Sequence, residues 1–165
     1  MGKINESEVE WTTLDDGGRR IERKKLAPGA GGDELGCSLY RLPEGNRSWP
    51  YHYHTGNEEA LFVLDGTGTL RLNGNELPLE SGDYVALPGN ERGAHQVIND
   101  SPGRLRYLMV STMSEPEVTV YPDSDKIGVF VGSPPGGEGE RSVHGYHRTA
   151  DAVDYWTDEP DPRPE

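Results

Sequence analysis

Three histidines and one glutamate are the residues of this 165-residue chain whose types and spacing could do chemistry. His52 and His54 stand one residue apart in the run WPYHYHTGNEEALFVLDG, Glu59 follows, and His95 comes later in PGNERGAHQVIN. In an extended strand alternate side chains leave on one face, so the rings of His52 and His54 emerge together. A neutral imidazole offers a ring nitrogen to a cation, and a carboxylate adds an oxygen and negative charge. Any one of these histidines alone reads as a loop or surface residue; their combination with the surrounding glycines and Pro88 points to a metal. Such a donor set suits a borderline divalent ion (iron, manganese, nickel, copper or zinc) better than calcium or magnesium, which prefer oxygen alone. An octahedral ion so held keeps positions open for water, dioxygen or a chelating substrate. Binding is expected to weaken between roughly pH 5 and 7 as the imidazoles protonate.

The elements that must position these groups read as strands. Period two over Glu59 to Leu64 puts Glu59, Leu61 and Val63 on one face and Ala60, Phe62 and Leu64 on the other, in a strand expected to be covered on both. A lone carboxylate heading an apolar strand is costly unless paired or coordinated, which favours Glu59 as a ligand. Further strands are expected at Arg19 to Leu26 (an edge strand), Gly36 to Leu42, Trp49 to His54, Thr69 to Leu72, Glu76 to Leu79, Tyr84 to Leu87, Ala94 to Ile98, Leu105 to Ser111, Glu117 to Tyr121 and Lys126 to Val131. Asp65-Gly66-Thr67-Gly68 and Asn73-Gly74 read as hairpin turns. Short strands separated by glycine turns predict an all-β sandwich or barrel. Near the end, Thr149 to Thr157 predicts a short helix with Thr149 as N-cap. Three segments result: an N-terminal extension with an edge strand (1–34), a barrel (35–131), and a loop, helix and flexible acidic tail (132–165).

Gly45 to Gly66 resembles the first cupin motif, a glycine, H-x-H, a glutamate and a closing glycine; counting back from Gly66 selects Glu59 rather than Glu58. Gly82 to Asn99 resembles the second, with Pro88, His95 and Asn99, although the stretch from Pro88 to His95 is longer than the usual pattern. The resemblance implies a small single-domain cupin of the conserved-barrel type. Its fold would be a double-stranded β-helix, or jelly-roll barrel, with polar N-terminal and C-terminal extensions. It implies His52, His54, Glu59 and His95 as metal ligands and leaves the catalytic residues undetermined, because cupins host many chemistries.

Composition limits the setting. Leu, Ile, Val and Phe total 31 residues, 24 of them between 35 and 131, so a folded centre lies between polar ends. Acidic residues number 29 against 12 arginines and 4 lysines, for a net charge of −13, which disfavours nucleic acid and anionic membranes. An acid-rich, lysine-poor surface resembles that of proteins from salt-loving organisms. No apolar run is long enough to span a bilayer, and the acidic N-terminus lacks a hydrophobic segment, so a cytoplasmic location is expected. The single cysteine, Cys37, precludes an internal disulfide and is expected to face a core. Trp11, Trp49, Tyr155 and Trp156 suggest surface to bury against the barrel or a partner, and a homodimer is expected.

Other candidates for chemistry are weaker. Tyr51, Tyr53 and Glu58 alternate with the ligands and should face away. Arg41 and Arg47 could bind a carboxylate or phosphate near the mouth. His144 and His147 could form a second metal site. The favoured function is a metalloenzyme acting on a small oxygenated metabolite such as a sugar or sugar phosphate, by isomerase or epimerase chemistry. The alternatives are an iron-dependent dioxygenase, a non-catalytic ligand-binding or sensor protein, and a barrel with vestigial motif residues.

Overall fold

The computed structural model describes residues 2–160. Its strands, in chain order, are β1 (Thr12–Asp16), β2 (Arg19–Lys25), β3 (Leu35–Leu42), β4 (Tyr53–His54), β5 (Glu59–Asp65), β6 (Thr67–Leu72), β7 (Asn75–Glu80), β8 (Tyr84–Leu87), β9 (His95–Ile98), β10 (Leu105–Thr112), β11 (Glu117–Tyr121), β12 (Lys126–Val131) and β13 (Val143–Arg148). They pair into a six-stranded sheet, β1-β2-β3-β10-β5-β8, facing two smaller ones, β13-β12-β11-β4 and β7-β6-β9. All pairings are antiparallel. The result is the double-stranded β-helix.

Alternation along the strands builds the core. Leu61 and Val63 of β5, Leu105 and Tyr107 of β10, Tyr40 and Leu42 of β3 and Leu87 of β8 turn inward to meet Leu70, Leu79 and Val97 from the opposite wall. Tyr40 and Tyr107, paired in register, stack with centroids 5.2 Å apart. The other face of β5 departs from expectation: Phe62 is 40% and Leu64 37% exposed, so the strand is covered on one face only in the single chain.

Two turns follow from backbone chemistry. Asn73 and Gly74 both take positive φ (47° and 77°) and close the β6–β7 hairpin as expected. The 65–68 stretch is no hairpin. β5 and β6 belong to different sheets, and Gly66 is the corner between them, at φ 88°. A Cβ there would meet the Arg104 carbonyl oxygen at 2.5 Å.

The ends carry the remaining differences. β2 is not an edge: β1 flanks it, and β2 pairs on to β3. Residues Leu26–Ala30 form a short helix, α1, where turns are expected. Trp49 to His54 is not a continuous strand; only Tyr53–His54 is regular, while Arg47 and His52 form isolated bridges to Ile98 and His95. The polar segment Val143–Arg148 pairs with β12, placing a strand in the expected loop. The helix expected from Thr149 shrinks to one 3-10 turn, Thr149–Asp151, because the Thr149 hydroxyl donates to Asp125 Oδ1 at 2.7 Å instead of capping a helix. Tyr155 and Trp156, 84% and 73% exposed, do not pack on the barrel. The last residues of the acidic tail, from 161 on, lie outside the described residues.

On the outer face of the six-stranded sheet, buried Glu22 on β2 accepts from Arg41 and from Arg20 (3.1 Å). Trp11 lies against this cluster, its ring 4.2 Å from the Arg41 guanidinium carbon and 4.8 Å from Lys24 Nζ. The hydrogen bond from Arg41 outweighs burial and, with Arg20, holds the Glu22 carboxyl below its ordinary 4.5. A depressed carboxyl contributes stability above its unfolded pKa and loses it as pH falls through the folded one. Glu22→Gln should therefore cost roughly 1–3 kcal/mol at neutral pH. The gap to the parent protein should close as pH drops below about 4.5; urea midpoints across pH 3–7 check this. Gly66→Ala should lower the urea midpoint, by roughly 1–3 kcal/mol from positive φ alone and more from the carbonyl clash. An unchanged midpoint would mean that the corner can relax.

Candidate metal centre

The seam between the two smaller sheets sets the site. His52 and His95 exchange backbone hydrogen bonds, His52 N–H to the His95 carbonyl at 3.2 Å and His95 N–H to the His52 carbonyl at 2.8 Å. This bridge lays their rings side by side, centroids 4.6 Å apart. Two residues on, His54 in β4 returns to the same face, its ring edge-on to His52 at 5.2 Å. Glu59, at the head of β5, reaches across from the opposite sheet.

Each imidazole is held in one tautomer. His52 Nδ1–H donates to the Pro50 carbonyl at 2.7 Å and His95 Nδ1–H to the Gly93 carbonyl at 2.9 Å; a carbonyl only accepts, so the proton sits on Nδ1. His54 Nδ1 lies 3.3 Å from Glu117 Oε1, another acceptor. All three rings therefore turn an Nε2 lone pair inward. The Nε2 atoms of His54 and His95 each stand 3.4 Å from Glu59 Oε2. That oxygen is buried and has no hydrogen-bond donor among the described residues. With the rings neutral, lone pairs face a carboxylate with nothing positive between them, the arrangement that a cation resolves.

Donor atoms of His52, His54 and Glu59 lie mutually within 4.8 Å. His95 is not part of that triplet and joins through Glu59. The residues fit a transition metal: three neutral nitrogens and one oxygen, each ring oriented by an outer hydrogen bond. Burial, then the neighbouring rings of His95 and His54, holds His52 well below its ordinary 6.5. His95 is lowered by burial, partly offset by Glu59. Burial acts on His54 as well, but the Glu117 hydrogen bond and the charges of Glu59 and Glu117 outweigh it, and its pKa is raised.

Glu117 is the residue that the motifs do not indicate. Fully buried at the start of β11, it accepts from Thr55 N–H (3.0 Å), Gly56 N–H (3.2 Å) and the Asn57 amide while facing His54. A buried acid beside apolar strand residues was the only sequence signal, and it equally describes a strand's solvated first residue.

Glu58 is exposed, and its backbone N–H donates to the Thr112 hydroxyl. Tyr51 leaves the site, accepting from Gly74 N–H at 2.9 Å. Asn99 is structural: its amide donates to the Leu42 and Gly103 carbonyls. The longer stretch from Pro88 to His95 is taken up by a 3-10 turn, Glu91–Gly93, whose last residue supplies the His95 acceptor. Arg41 is engaged by Glu22, and Arg47 is exposed and reaches only Gln96 at 3.5 Å. His144 and His147 sit on β13, where His144 packs on Phe130, and they do not join a metal-like cluster among the described residues.

His52, His54 and Glu59 open into a cavity of about 700 Å³, lined also by Trp49, Met109, Tyr121, Phe130 and Tyr146. Tyr121 stacks on His52 with centroids 5.9 Å apart. Burial, then adjacent Tyr146, pushes its phenol up, so it stays protonated and can donate.

A double-stranded β-helix with histidines and a glutamate converging at one end defines a cupin-type barrel. Residues 38–111 match the Cupin domain family, and the fold is that of the cupin superfamily. Comparison with curated protein sequences finds no match. Among solved structures, the chain is similar to a protein assigned as a sugar phosphate isomerase from Acidithiobacillus ferrooxidans, at 26% identity over 90% of both chains with a TM-score of 0.77. It is also similar in fold to a sugar phosphate isomerase of the cupin superfamily from Silicibacter pomeroyi (24% identity, 91% of this chain and 94% of that one, TM-score 0.76). A polyketide cyclase from Streptomyces resistomycificus shares the fold over 68% of this chain and 79% of its own, at 21% identity and TM-score 0.57.

If the inward carboxylate is destabilising without a cation, Glu59→Gln should leave the metal-free protein as stable as the parent or up to about 1–2 kcal/mol more so, because its amide can donate to an Nε2. The same change should abolish tight metal binding. Urea unfolding with and without chelator, and metal analysis, check both; a Glu59→Gln protein that keeps stoichiometric metal would remove Glu59 from the site.

Proposed function

We propose that this cupin is a metal-dependent enzyme acting on a small oxygenated metabolite, a sugar or sugar phosphate, by isomerase or epimerase chemistry. His52, His54 and His95 would hold a divalent transition metal through Nε2, and Glu59 through Oε2. The observation that carries the reading is the inward set of lone pairs around a buried carboxylate oxygen without a donor, at the floor of a substrate-sized cavity. Likeness to a protein named for sugar phosphate isomerisation, over nine-tenths of both chains, supports the substrate class.

A bound divalent ion supplies Lewis-acid polarisation of a carbonyl or hydroxyl oxygen in its open positions. The chain's own residues do the rest. Pro50, Gly93 and Glu117 fix the imidazole tautomers, so the donor set is preorganised. Tyr121, protonated and stacked on His52, presents a phenol O–H to a substrate oxygen. Trp49, Met109 and Phe130 give the cavity apolar surface against which a sugar ring can lie and which limits water.

The test is metal analysis of purified protein followed by NMR of aldose and ketose phosphates incubated with it. One equivalent of metal, turnover abolished by chelator and restored by metal, and loss of both metal and turnover in folded His52→Ala are expected. Full turnover in chelated protein or in His52→Ala would exclude the mechanism. Oxygen consumption without isomerisation would favour the iron-dependent dioxygenase instead.

A further inference from the structure

The chain has 4 lysines, and two of them, Lys25 and Lys126, line the metal-site cavity together with Arg23 and Arg141. On a protein of net charge −13 this concentration of cations is unexpected. Two are already engaged. Lys25 pairs with Glu138 at 3.2 Å, and Arg141 donates to the carbonyls of Ser133 (2.9 Å) and Pro134 (3.0 Å) while lying 4.9 Å from the Phe130 ring.

Arg23 and Lys126 are different. Among the described residues neither forms a salt bridge with a carboxylate, and each lies near aromatic rings. The Arg23 guanidinium carbon is 5.8 Å from the Trp49 ring, and Lys126 Nζ is 5.1 Å from Tyr121 and 5.8 Å from Tyr146. Arg23 Nε is buried with no acceptor. A buried guanidinium donor left unmade is costly, and an oxyanion is its natural complement. Other acids around the cavity do not fill this role: Asp33 and Glu115 are exposed, Asp33 accepts from Glu34 N–H, Glu138 is taken by Lys25, and Glu59 belongs to the metal set.

The two cations come from different sheets, Arg23 from β2 of the six-stranded sheet and Lys126 from β12 of the four-stranded one. Lys126 connects to the candidate metal set through one aromatic layer: Tyr121, beside it, stacks on His52. Trp49, beside Arg23, lies in the segment that leads into His52 and lines the same cavity.

We propose that Arg23 and Lys126 form an anion-binding pole of the cavity, which therefore takes a two-ended ligand: an oxyanion group held by these cations and oxygens that reach the histidine–glutamate cluster. The cluster's role as metal site is the reading given above, whereas the anion pole stands on its own residues. The shared chemistry is that of phosphate monoester and carboxylate.

The experiment titrates chelator-treated protein with inorganic phosphate and, separately, malonate at constant ionic strength, following thermal stabilisation and calorimetry. Saturable binding of one anion is expected in the parent and in His52→Ala alike. Affinity should fall about tenfold or more in Arg23→Gln and in Lys126→Gln, and recover in part in Arg23→Lys. Binding of phosphate identifies a phosphate ester as ligand; binding of malonate alone identifies a carboxylate. Circular dichroism confirms folding, and should Arg23→Gln fail to fold, Arg23→Lys and the half-buried Lys126→Gln decide. Absence of saturable binding by either anion, or binding unchanged by substitution at both positions, overturns the proposal. Normal anion binding in a protein that takes up no metal would instead sink the metal reading and leave the anion pole standing.

Discussion

The structure depends on an electrostatic conflict held in place by backbone geometry. Three imidazole lone pairs and a carboxylate oxygen point at one another, and each is kept there by something that cannot easily move: two main-chain carbonyls, a buried glutamate and the head of a central strand. In an apolar interior a carboxylate without a donor costs several kcal/mol. The barrel tolerates that cost because these side chains sit on paired backbone. His52 and His95 are each other's partners in the bridge joining two sheets, so neither backbone can shift without opening the seam. Preorganisation of this kind puts the expense in the folded protein rather than at the moment of binding.

Glu117 extends the constraint outward. It closes the hydrogen-bonding needs of the Thr55–Asn57 loop, and Asn57 in turn accepts from Ser114 N–H (2.7 Å) and the Thr112 hydroxyl (3.0 Å). The loop after His54 is thereby tied to the connection between β10 and β11. Gly56 has no room for a side chain here, since a Cβ would stand 3.0 Å from Glu117 Oε2. The position of His54 is thus fixed from a strand more than sixty residues away in sequence.

What the sequence discloses and what it hides divide along the range of the interactions. Alternation and turn chemistry are local, and they place β3, β5, β8, β10, β11 and β12 within a residue or two and the Asn73–Gly74 hairpin correctly. The H-x-H spacing puts His52 and His54 side by side for the same reason, even though His52 makes only a bridge. Events decided by partners are hidden. Asp65–Gly68 carries the residues of a hairpin, yet the clash at Gly66 shows that its glycine is required by Arg104, just before β10. Val143–Arg148 has little apolar periodicity and becomes a strand because β12 offers it an edge. Thr149 has the chemistry of an N-cap, but Asp125 captures its hydroxyl. Arg41 and Arg47 are indistinguishable in sequence from Arg23; only the sheet order decides which arginine meets the cavity.

The charge distribution then bears on how a ligand can be recognised. A chain of net charge −13 repels anions, but over a range limited by screening to about 8 Å at physiological salt. Attraction by Arg23 and Lys126 would act within that range, inside a cavity whose walls are partly aromatic and where charges are less screened. On the proposed anion pole, the surface field would slow the approach of every anion alike, while the cavity would reward only those small enough to enter and bridge two sheets. Selectivity for a small anionic ligand over polyanions would then follow from this opposition of an acidic exterior to a locally cationic interior.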